Sequence, residues 1–343
     1  GMTVVRTVNP ATGHNLSLDL YFPGDGASID PDGAPYPVIV FAPGFLATSE
    51  TYSGQGRHLA SWGYVVAIPD FPTEDLEQRR SNVRHVISYL IEENGKAGSP
   101  LHGMIDVNRI GLTGHSLGGL STLMATAQDP RIHAAVALDP VQPPFFFPKV
   151  SGFISRWRSG SLRSALEDSL RQWTEPQQQP AQWDAEREAK LIQVPLLIVG
   201  VPAQLCNAGA NYEDIYPLIT APHRSKLVLT GGSHCDFMDP TNAAEKRSCE
   251  TICGTPTTDR RLYLVKRYMT AWFNYYLQER PEYYTYLYGT EAGKIIAGQE
   301  VSGIVATHPS GLTVRGEQGQ VVLAWDLPET PLVAGYNVYR SQQ

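Results

Sequence analysis

The chain has 343 residues and a mass of 37.7 kDa, and its 27 basic and 34 acidic side chains give a net charge of −7. Apolar residues make up 42% and charged residues 18%, which excludes a disordered chain. A mildly acidic chain without a Lys/Arg block is a poor partner for nucleic acid or an anionic membrane. No apolar run approaches the roughly 20 residues that span a bilayer, so no integral membrane segment is expected.

Short apolar runs alternate with longer segments of helical period, a pattern typical of a mostly parallel sheet covered by helices. Strands are predicted at 16–22, 36–42, 63–69, 108–114, 133–139, 194–201 and 225–231. Helices are predicted at 53–62, 76–93, 117–128, 211–219 and about 258–279. In the last helix an i, i+3, i+4 stripe should cover one face of the sheet; it comprises Leu262, Leu264, Val265, Tyr268, Met269, Trp272, Phe273 and Tyr276.

Two segments depart from this rhythm. Residues 142–192 are first apolar and proline-rich, then polar, and we expect either a cap over the functional edge of the sheet or an irregular surface excursion. Residues 301–343 alternate with period two and resemble the first three strands of a fibronectin type III domain, with Trp325 and Tyr336 as its core aromatics. We therefore predict a catalytic domain over 1–300 and a partial fibronectin-like segment, either an incomplete domain or a β-ribbon.

One motif carries chemistry: Gly114-His115-Ser116-Leu117-Gly118, a G-x-S-x-G sequence between a predicted strand and a predicted helix. A nucleophile elbow requires this context, because its serine lies on a tight turn whose neighbours must lack side chains. The N-terminus of the helix adds partial positive charge beside a developing oxyanion. Ser116 is the predicted nucleophile, and a glycine-rich turn with a capping serine is the alternative.

A serine nucleophile needs a base and an acid, which in such a fold follow it in the order acid, then histidine. His234 follows the last predicted strand on a glycine-hinged loop and is the predicted base. The other histidines are excluded because they precede the serine, lie inside the elbow, lie ahead of that strand or fall in the tail. The loop after strand 194–201, where the acid commonly lies, has no carboxylate before Glu213 and Asp214. Asp139, at the end of strand 133–139, is therefore the predicted acid, with Asp214 as the alternative.

The oxyanion hole needs two backbone N–H donors. One is predicted at Leu117, directly after the nucleophile. The other is expected at Phe45, because the strand 36–42 is followed by Pro43-Gly44-Phe45-Leu46, where the glycine lets the chain turn closely. An ordinary Pro-Gly turn is the alternative.

Together these residues resemble the α/β-hydrolase superfamily, in the branch of dienelactone-hydrolase-like proteins, cutinase-like polyester hydrolases, platelet-activating-factor acetylhydrolases and chlorophyllases. The resemblance covers about residues 3–290. Beyond the elbow, it is carried by segments similar to the oxyanion loop, histidine loop and final helix of the polyester hydrolases: "FAPGFLATSETYSGQGRHLASWGYVVAIPD", "GGSHCDF" and "RYMTAWFNYYLQERPEYYTYL". It implies an α/β-hydrolase fold and acyl transfer through a serine acyl-enzyme.

The sequence departs from the polyester hydrolases at two points. Their acid after the seventh strand is missing, and their pocket tryptophan corresponds here to Val141 in "LDPVQ". Chlorophyllases carry "DPV" at this point and a base segment comparable to "SHCDFMD", and the acetylhydrolases place their acid at this strand end. The resemblance therefore supports Asp139 as the acid and argues against polyester cleavage.

The predicted function is a serine carboxylic ester hydrolase for lipophilic esters, whose substrate is a small-molecule or lipid-like ester. The alternatives are a lipase or phospholipid deacylase, a polyester hydrolase, and a non-catalytic binding or adhesion protein on a hydrolase scaffold. An apolar pocket wall would favour hydrophobic groups, although the three consecutive phenylalanines could instead pack between insertion and core; the predicted wall comprises Phe45, Leu117, Val141, Phe145, Phe146, Phe147 and Met238. The sequence indicates no oligomeric state.

The four cysteines bear on location and on metals. Cys206 and Cys235 lie on loops after adjacent predicted strands, which predicts a bridge beside His234, and some polyester hydrolases carry a related bridge. Cys249 and Cys253 either pair locally or cross-pair with the first two. Two bridges would favour a secreted or periplasmic protein, although no export signal is present in this sequence, and free thiols in the cytoplasm are the alternative. Without C-x-x-C pairs, a G-x-G-x-x-G or a Walker loop, no metal or nucleotide cofactor is expected.

Overall fold

The computed structural model describes residues 1–26, 28–142, 183–302, 313–317 and 320–324. Nine of the described strands form one sheet: β1 (Met2–Val8), β2 (Asn15–Tyr21), β3 (Tyr36–Ala42), β4 (Val65–Asp70), β5 (Ile105–His115), β6 (Ala134–Leu138), β7 (Leu196–Gly200), β8 (Arg224–Leu229) and β9 (Val301–Ser302). Their spatial order is β1-β2-β4-β3-β5-β6-β7-β8-β9. The six central strands run parallel, whereas β1, β2 and β9 add antiparallel edges.

Helices connect the parallel strands. The described α-helices are α1 (Ser53–Ser61), α2 (Leu76–Gly95), α3 (Leu117–Thr126), α4 (Ala185–Glu188), α5 (Tyr212–Ile215), α6 (Ala243–Cys253), α7 (Asp259–Tyr276), α8 (Tyr284–Leu287) and α9 (Thr290–Ala297). Short 3-10 helices cover Pro31–Gly33, Ser49–Tyr52, Ala189–Leu191, Tyr216–Leu218, His234–Phe237 and Pro281–Tyr283.

The sheet is buried on both faces, which is why its central strands are continuous apolar runs rather than alternating ones. Ile39 and Phe41 of β3 pack into the same cluster as Trp272 of α7. Their neighbours Val38 and Val40 point to the opposite face and pack with the buried stripe of α2. With parallel strands, all the loops that follow β3, β5, β6, β7 and β8 meet at one edge of the sheet.

The predicted fold class is confirmed, since the mixed sheet flanked by helices is that of an α/β hydrolase. Prediction failed for β1, α6 and α9. In α6 only Cys253 is buried, and β1 has no fully buried residue, so neither element carries a strong apolar pattern. The 211–219 helix is shorter than expected, with α5 followed by a 3-10 turn.

The two unusual segments are described only in part. Of the 142–192 insertion, residues 143–182 lie outside the described residues, so the cap stays a prediction. In the tail, β10 (Thr313–Glu317) and β11 (Gln320–Ala324) form an antiparallel pair. Trp325 and Tyr336 lie outside the described residues, and the fibronectin-like assignment and the division at residue 300 stay predictions.

Candidate active site

Ser116 lies at the junction of β5 and α3, where the strand ends in His115 and the helix begins at Leu117. Its backbone has φ 59° and ψ −121°, a conformation that L-residues rarely adopt and that costs of order 1–3 kcal/mol. The turn is fixed by a hydrogen bond from the Ser116 N–H to the Leu138 carbonyl at 2.9 Å. The predicted elbow is thus present, with the serine at the carboxyl edge of the sheet.

Close backbone packing explains the glycines of the elbow. A Cβ atom at Gly118 would lie 2.0 Å from the Ala42 carbonyl oxygen, and one at Gly114 would lie 2.4 Å from the Gly118 carbonyl oxygen. Both contacts are with backbone atoms that cannot move aside. The glycines therefore allow α3 to start directly against the end of β3.

His234 and Asp139 meet at the same edge. His234 begins the 3-10 helix after β8, and its Nδ1 lies 2.6 Å from the Oδ2 atom of Asp139, which is fully buried at the end of β6. The competing carboxylate, Asp214, is exposed on α5. Because a buried carboxylate accepts the Nδ1 proton, it fixes the tautomer and orientation of the imidazole.

Asn207 is a site residue that sequence reasoning missed. Its Nδ2 donates to Asp139 Oδ1 at 3.0 Å and contacts the Pro140 carbonyl at 3.4 Å, so both carboxylate oxygens of Asp139 have partners. Three residues earlier, Gln204 Oε1 accepts the backbone N–H of His234 at 3.0 Å. The available signal was position: both amides lie in the loop after β7, where this fold commonly places its acid.

Two disulfide bonds tie these loops to α6. Cys206 pairs with Cys253 and Cys235 pairs with Cys249, which is the cross-pairing alternative; the direct Cys206–Cys235 bridge and the local Cys249–Cys253 bridge were wrong. Cys206 directly precedes Asn207, and Cys235 directly follows His234. The sulfur atoms of Cys235, Cys249 and Cys253 lie within 4.8 Å of one another, but as disulfide sulfurs they are not thiolate ligands for a metal.

The loop after β3 is held next to the elbow. The Gly44 N–H donates to the Tyr52 hydroxyl at 3.1 Å, and this hydroxyl is 2.9 Å from His115 Nδ1. A Cβ at Gly44 would lie 3.3 Å from the Cβ of Ser116, so the loop directly adjoins the elbow serine. Phe45 is partly buried against the apolar cluster that contains Leu117. The two expected oxyanion donors therefore come from neighbouring segments.

The remaining predicted pocket residues divide between described and undescribed parts. Val141 and Met238 are buried, each within four residues of Asp139 or His234 in the sequence. Phe145, Phe146 and Phe147 lie outside the described residues. The pocket roles of all five, and of Phe45, stay predictions.

A second imidazole, that of His115, lies in the site but stays neutral. Its ring centroid is 4.4 Å from that of His234, and burial followed by the charge of His234 holds the pKa of His115 well below its ordinary value. The site therefore carries one imidazole paired with a carboxylate and one that does not compete for protons.

The fold and this edge together are those of the α/β-hydrolase fold, with a serine at the elbow and a histidine–carboxylate pair nearby. The family described as PET hydrolase-like matches residues 5–152. Over 113 residues the chain is 38% identical to a bis(hydroxyethyl) terephthalate hydrolase of Streptomyces coelicolor, covering 33% of this chain and 36% of that protein. It is 34% identical over 105 residues to the cutinase est1 of Thermobifida alba, with 31% and 35% covered.

A third relative, cutinase 2 of Thermobifida cellulosilytica, is 33% identical over 108 residues, which are 31% of this chain and 40% of that protein. The chain thus spans little more than a third of the length of the curated relatives it matches. No helix among the described residues has the length and apolar character needed to cross a membrane.

Proposed function

We propose that this protein is a serine carboxylic ester hydrolase that acts on lipophilic esters through Ser116, His234 and Asp139. The 2.6 Å hydrogen bond between His234 Nδ1 and Asp139 Oδ2, at the edge that carries the elbow serine, is the observation that supports it most. A structural scaffold needs no buried carboxylate on a histidine beside a strained serine. Strain and buried charge in one place are typical of a functional site.

In the proposed mechanism, His234 Nε2 takes the proton of the Ser116 hydroxyl while its oxygen attacks the ester carbonyl. The N–H groups of Leu117 and Phe45 stabilise the oxyanion of the tetrahedral intermediate. The imidazolium then protonates the leaving alcohol, giving an acyl-enzyme. Water, activated by the same histidine, releases the acid and restores Ser116.

The relatives favour a polyester or an aromatic diester as one substrate class. Their printed names are bis(hydroxyethyl) terephthalate hydrolase and cutinase, and the PET hydrolase-like match includes Phe45, Ser116 and Asp139. Val141 argues for a different pocket, because a small aliphatic side chain cannot stack on an aromatic acyl group as a tryptophan does. We therefore propose aliphatic esters as better substrates than terephthalate esters.

Hydrolysis of p-nitrophenyl esters from acetyl to palmitoyl, with bis(hydroxyethyl) terephthalate as an aromatic diester, tests this proposal. The native chain should hydrolyse at least one ester, and Ser116→Ala should lower kcat/KM by about 10⁴-fold or more. A palmitoyl optimum would indicate a lipase, and a terephthalate optimum a polyester hydrolase. Absence of hydrolysis of every ester by the folded native chain would refute the proposal in favour of a binding or adhesion role.

We also propose a secreted or periplasmic location, supported by the two disulfide bonds. Such bonds persist in oxidising compartments and are rare in the cytosol. Protein isolated from its native compartment in the presence of a thiol-labelling reagent and denatured without reductant should carry no label, and labelling after reduction should count four thiols. Four thiols before reduction would indicate a cytoplasmic protein.

A further inference from the structure

A buried ion pair lies behind the loop that follows β3. Arg79, in the first turn of α2, and Glu74, just before that helix, approach to 2.8 Å between Nη1 and Oε2. Their side chains are only 1% and 9% exposed. Burying both charges carries a desolvation cost that their attraction often only balances, so such a pair is weak evidence for stability. Its hydrogen bonds to other groups are more informative.

Both partners bind the backbone of the loop on either side of Phe45. Arg79 Nη2 donates to the Pro43 carbonyl oxygen. Glu74 Oε1 accepts the N–H of Leu46 at 3.0 Å. Leu46 has φ 53°, in the left-handed region that costs an L-residue energy, so the loop needs restraint from outside to keep this conformation.

The same guanidinium also reaches the helix that begins after the nucleophile. Arg79 Nε is 3.4 Å from Ser121 Oγ, and Ser121 Oγ in turn donates to the Leu117 carbonyl at 2.8 Å. One side chain therefore connects the loop of Phe45 with the first turn of α3. These are the two segments that supply the expected oxyanion donors.

We propose that Glu74 and Arg79 are positioning residues that fix the distance between the N–H groups of Phe45 and Leu117. The inference rests on the proposed ester hydrolysis. Charge-assisted hydrogen bonds are short and directional, which suits them to hold a strained loop. A loss of about 1 Å in placement lowers the rate by about 10²-fold, because donors are effective only when they are fixed before the reaction.

The test replaces the pair and compares it with a second ion pair of α2. The double variant Glu74→Met with Arg79→Met removes both charges at once, so no unpaired charge is left buried. The single variant Arg79→Lys keeps the positive charge but loses the planar set of guanidinium N–H donors. The control is Arg80→Met with Glu188→Met, whose ion pair at 3.0 Å is also largely buried. We expect kcat to fall about 10²-fold in the double variant and about tenfold in Arg79→Lys, with KM nearly unchanged, and the control to stay within threefold.

A readout without turnover separates positioning from folding and from the proposed activity. An alkyl boronic acid forms a tetrahedral adduct with a nucleophilic serine and presents an oxygen to the oxyanion hole. Its affinity, measured by calorimetry, should fall in the pair variants in proportion to kcat and stay constant in the control. Near-ultraviolet circular dichroism and thermal melting identify the variants that are folded.

Each outcome decides. If the native chain hydrolyses esters and the folded double variant keeps its kcat and boronate affinity, the positioning role is overturned while the proposed function stands. If the native chain binds boronate in a pair-dependent way without hydrolysing any ester, the positioning role stands and the proposed function fails. If the folded native chain neither binds boronate nor hydrolyses any ester, the positioning role and the proposed function are both refuted. If the double variant does not fold, Arg79→Lys decides: unchanged kcat and boronate affinity overturn the inference.

Discussion

The two halves of the site are held in different ways. The nucleophile side, which comprises residues 43–46, Glu74, Arg79 and 114–118, is fixed by glycine-dependent backbone packing and a buried ion pair. The base side, which comprises Asp139, residues 204–207 and 234–236, is fixed by side-chain amides and two disulfide bonds to α6. Only the first half lies wholly within the PET hydrolase-like match over 5–152.

The contrast shows which part of such a site tolerates a change of residues. On the nucleophile side, added atoms would meet backbone oxygens at 2.0–2.4 Å, so few substitutions are possible. On the base side the requirement is only that some carboxylate reach the Nδ1 atom of His234, and several strand ends border that position. Here Asp139 at the end of β6 makes the contact, and an amide, Asn207, lies in the loop after β7.

The largest expected effect tests the base side. Asp139→Asn should lower kcat/KM by about 10⁴-fold, because the amide favours the wrong imidazole tautomer and does not stabilise its charge. The exposed Asp214→Asn serves as the matched control and should stay within about threefold. Both are measured with the best p-nitrophenyl ester. If Asp214→Asn is the damaging change instead, Asp139 is not the acid.

A smaller loss is expected when the partner of Asp139 is removed. Asn207→Leu takes away a hydrogen bond to a charged group, which is worth about 1.5–3 kcal/mol and corresponds to a fall of about 10- to 100-fold in kcat/KM. Asn211→Ala, in the same loop, removes a contact with the Gln142 backbone instead and should cost less. Equal effects of the two variants would mean that Asn207 only stabilises the loop.

Each disulfide bond should raise the free energy of unfolding by an amount that increases with the logarithm of the length of the loop it closes. The bridges span 47 and 14 residues in sequence, and loop-closure entropy gives about 4 kcal/mol for Cys206–Cys253 and about 3 kcal/mol for Cys235–Cys249. Paired Cys→Ser variants, compared by urea unfolding, measure both values. A larger loss for the shorter loop would show that packing around α6, and not chain entropy, dominates.

The smallest effect is a dependence of stability on pH. Burial and Lys266 lower the pKa of His58 to about 4, and burial lowers that of His115 far below its ordinary value. In the unfolded chain both histidines have a pKa of about 6.5. As the pH falls below this value, the unfolded state binds protons before the folded state does, so the free energy of unfolding decreases. The decrease is at most about 1.4 kcal/mol per pH unit for each histidine.

Urea unfolding between pH 7 and pH 4.5 measures this slope. His58→Gln should make the loss on acidification shallower, because one of the histidines with a lowered pKa no longer gains a proton on unfolding. The variant keeps a hydrogen-bonding group near Thr270, the partner of His58. An unchanged slope would show that other groups cause the acid sensitivity.

Local patterns were sufficient for the central sheet and for the nucleophile. The strand predicted at 36–42 matches β3, and the elbow lies at the predicted strand–helix junction, because apolar period and glycine spacing are local properties. Prediction failed where elements bury little apolar surface: β1 is stabilised by pairing with β2, and α6 is attached by two disulfide bonds. Neither cause leaves a periodic signal.

The amino-acid sequence by itself determined the α/β class, the position of Ser116 and the choice of His234 as the expected base, since these follow from motif, chain order and strand ends. It left the acid open between Asp139 and Asp214 and the pairing of the cysteines open among alternatives. The tertiary structure brought Asp139 to His234, Asn207 to Asp139, and Glu74 with Arg79 to the loop of Phe45. Apart from Glu74 and Arg79 themselves, these contacts join residues distant in sequence, and such proximity depends on how the whole sheet brings its strand ends to one edge.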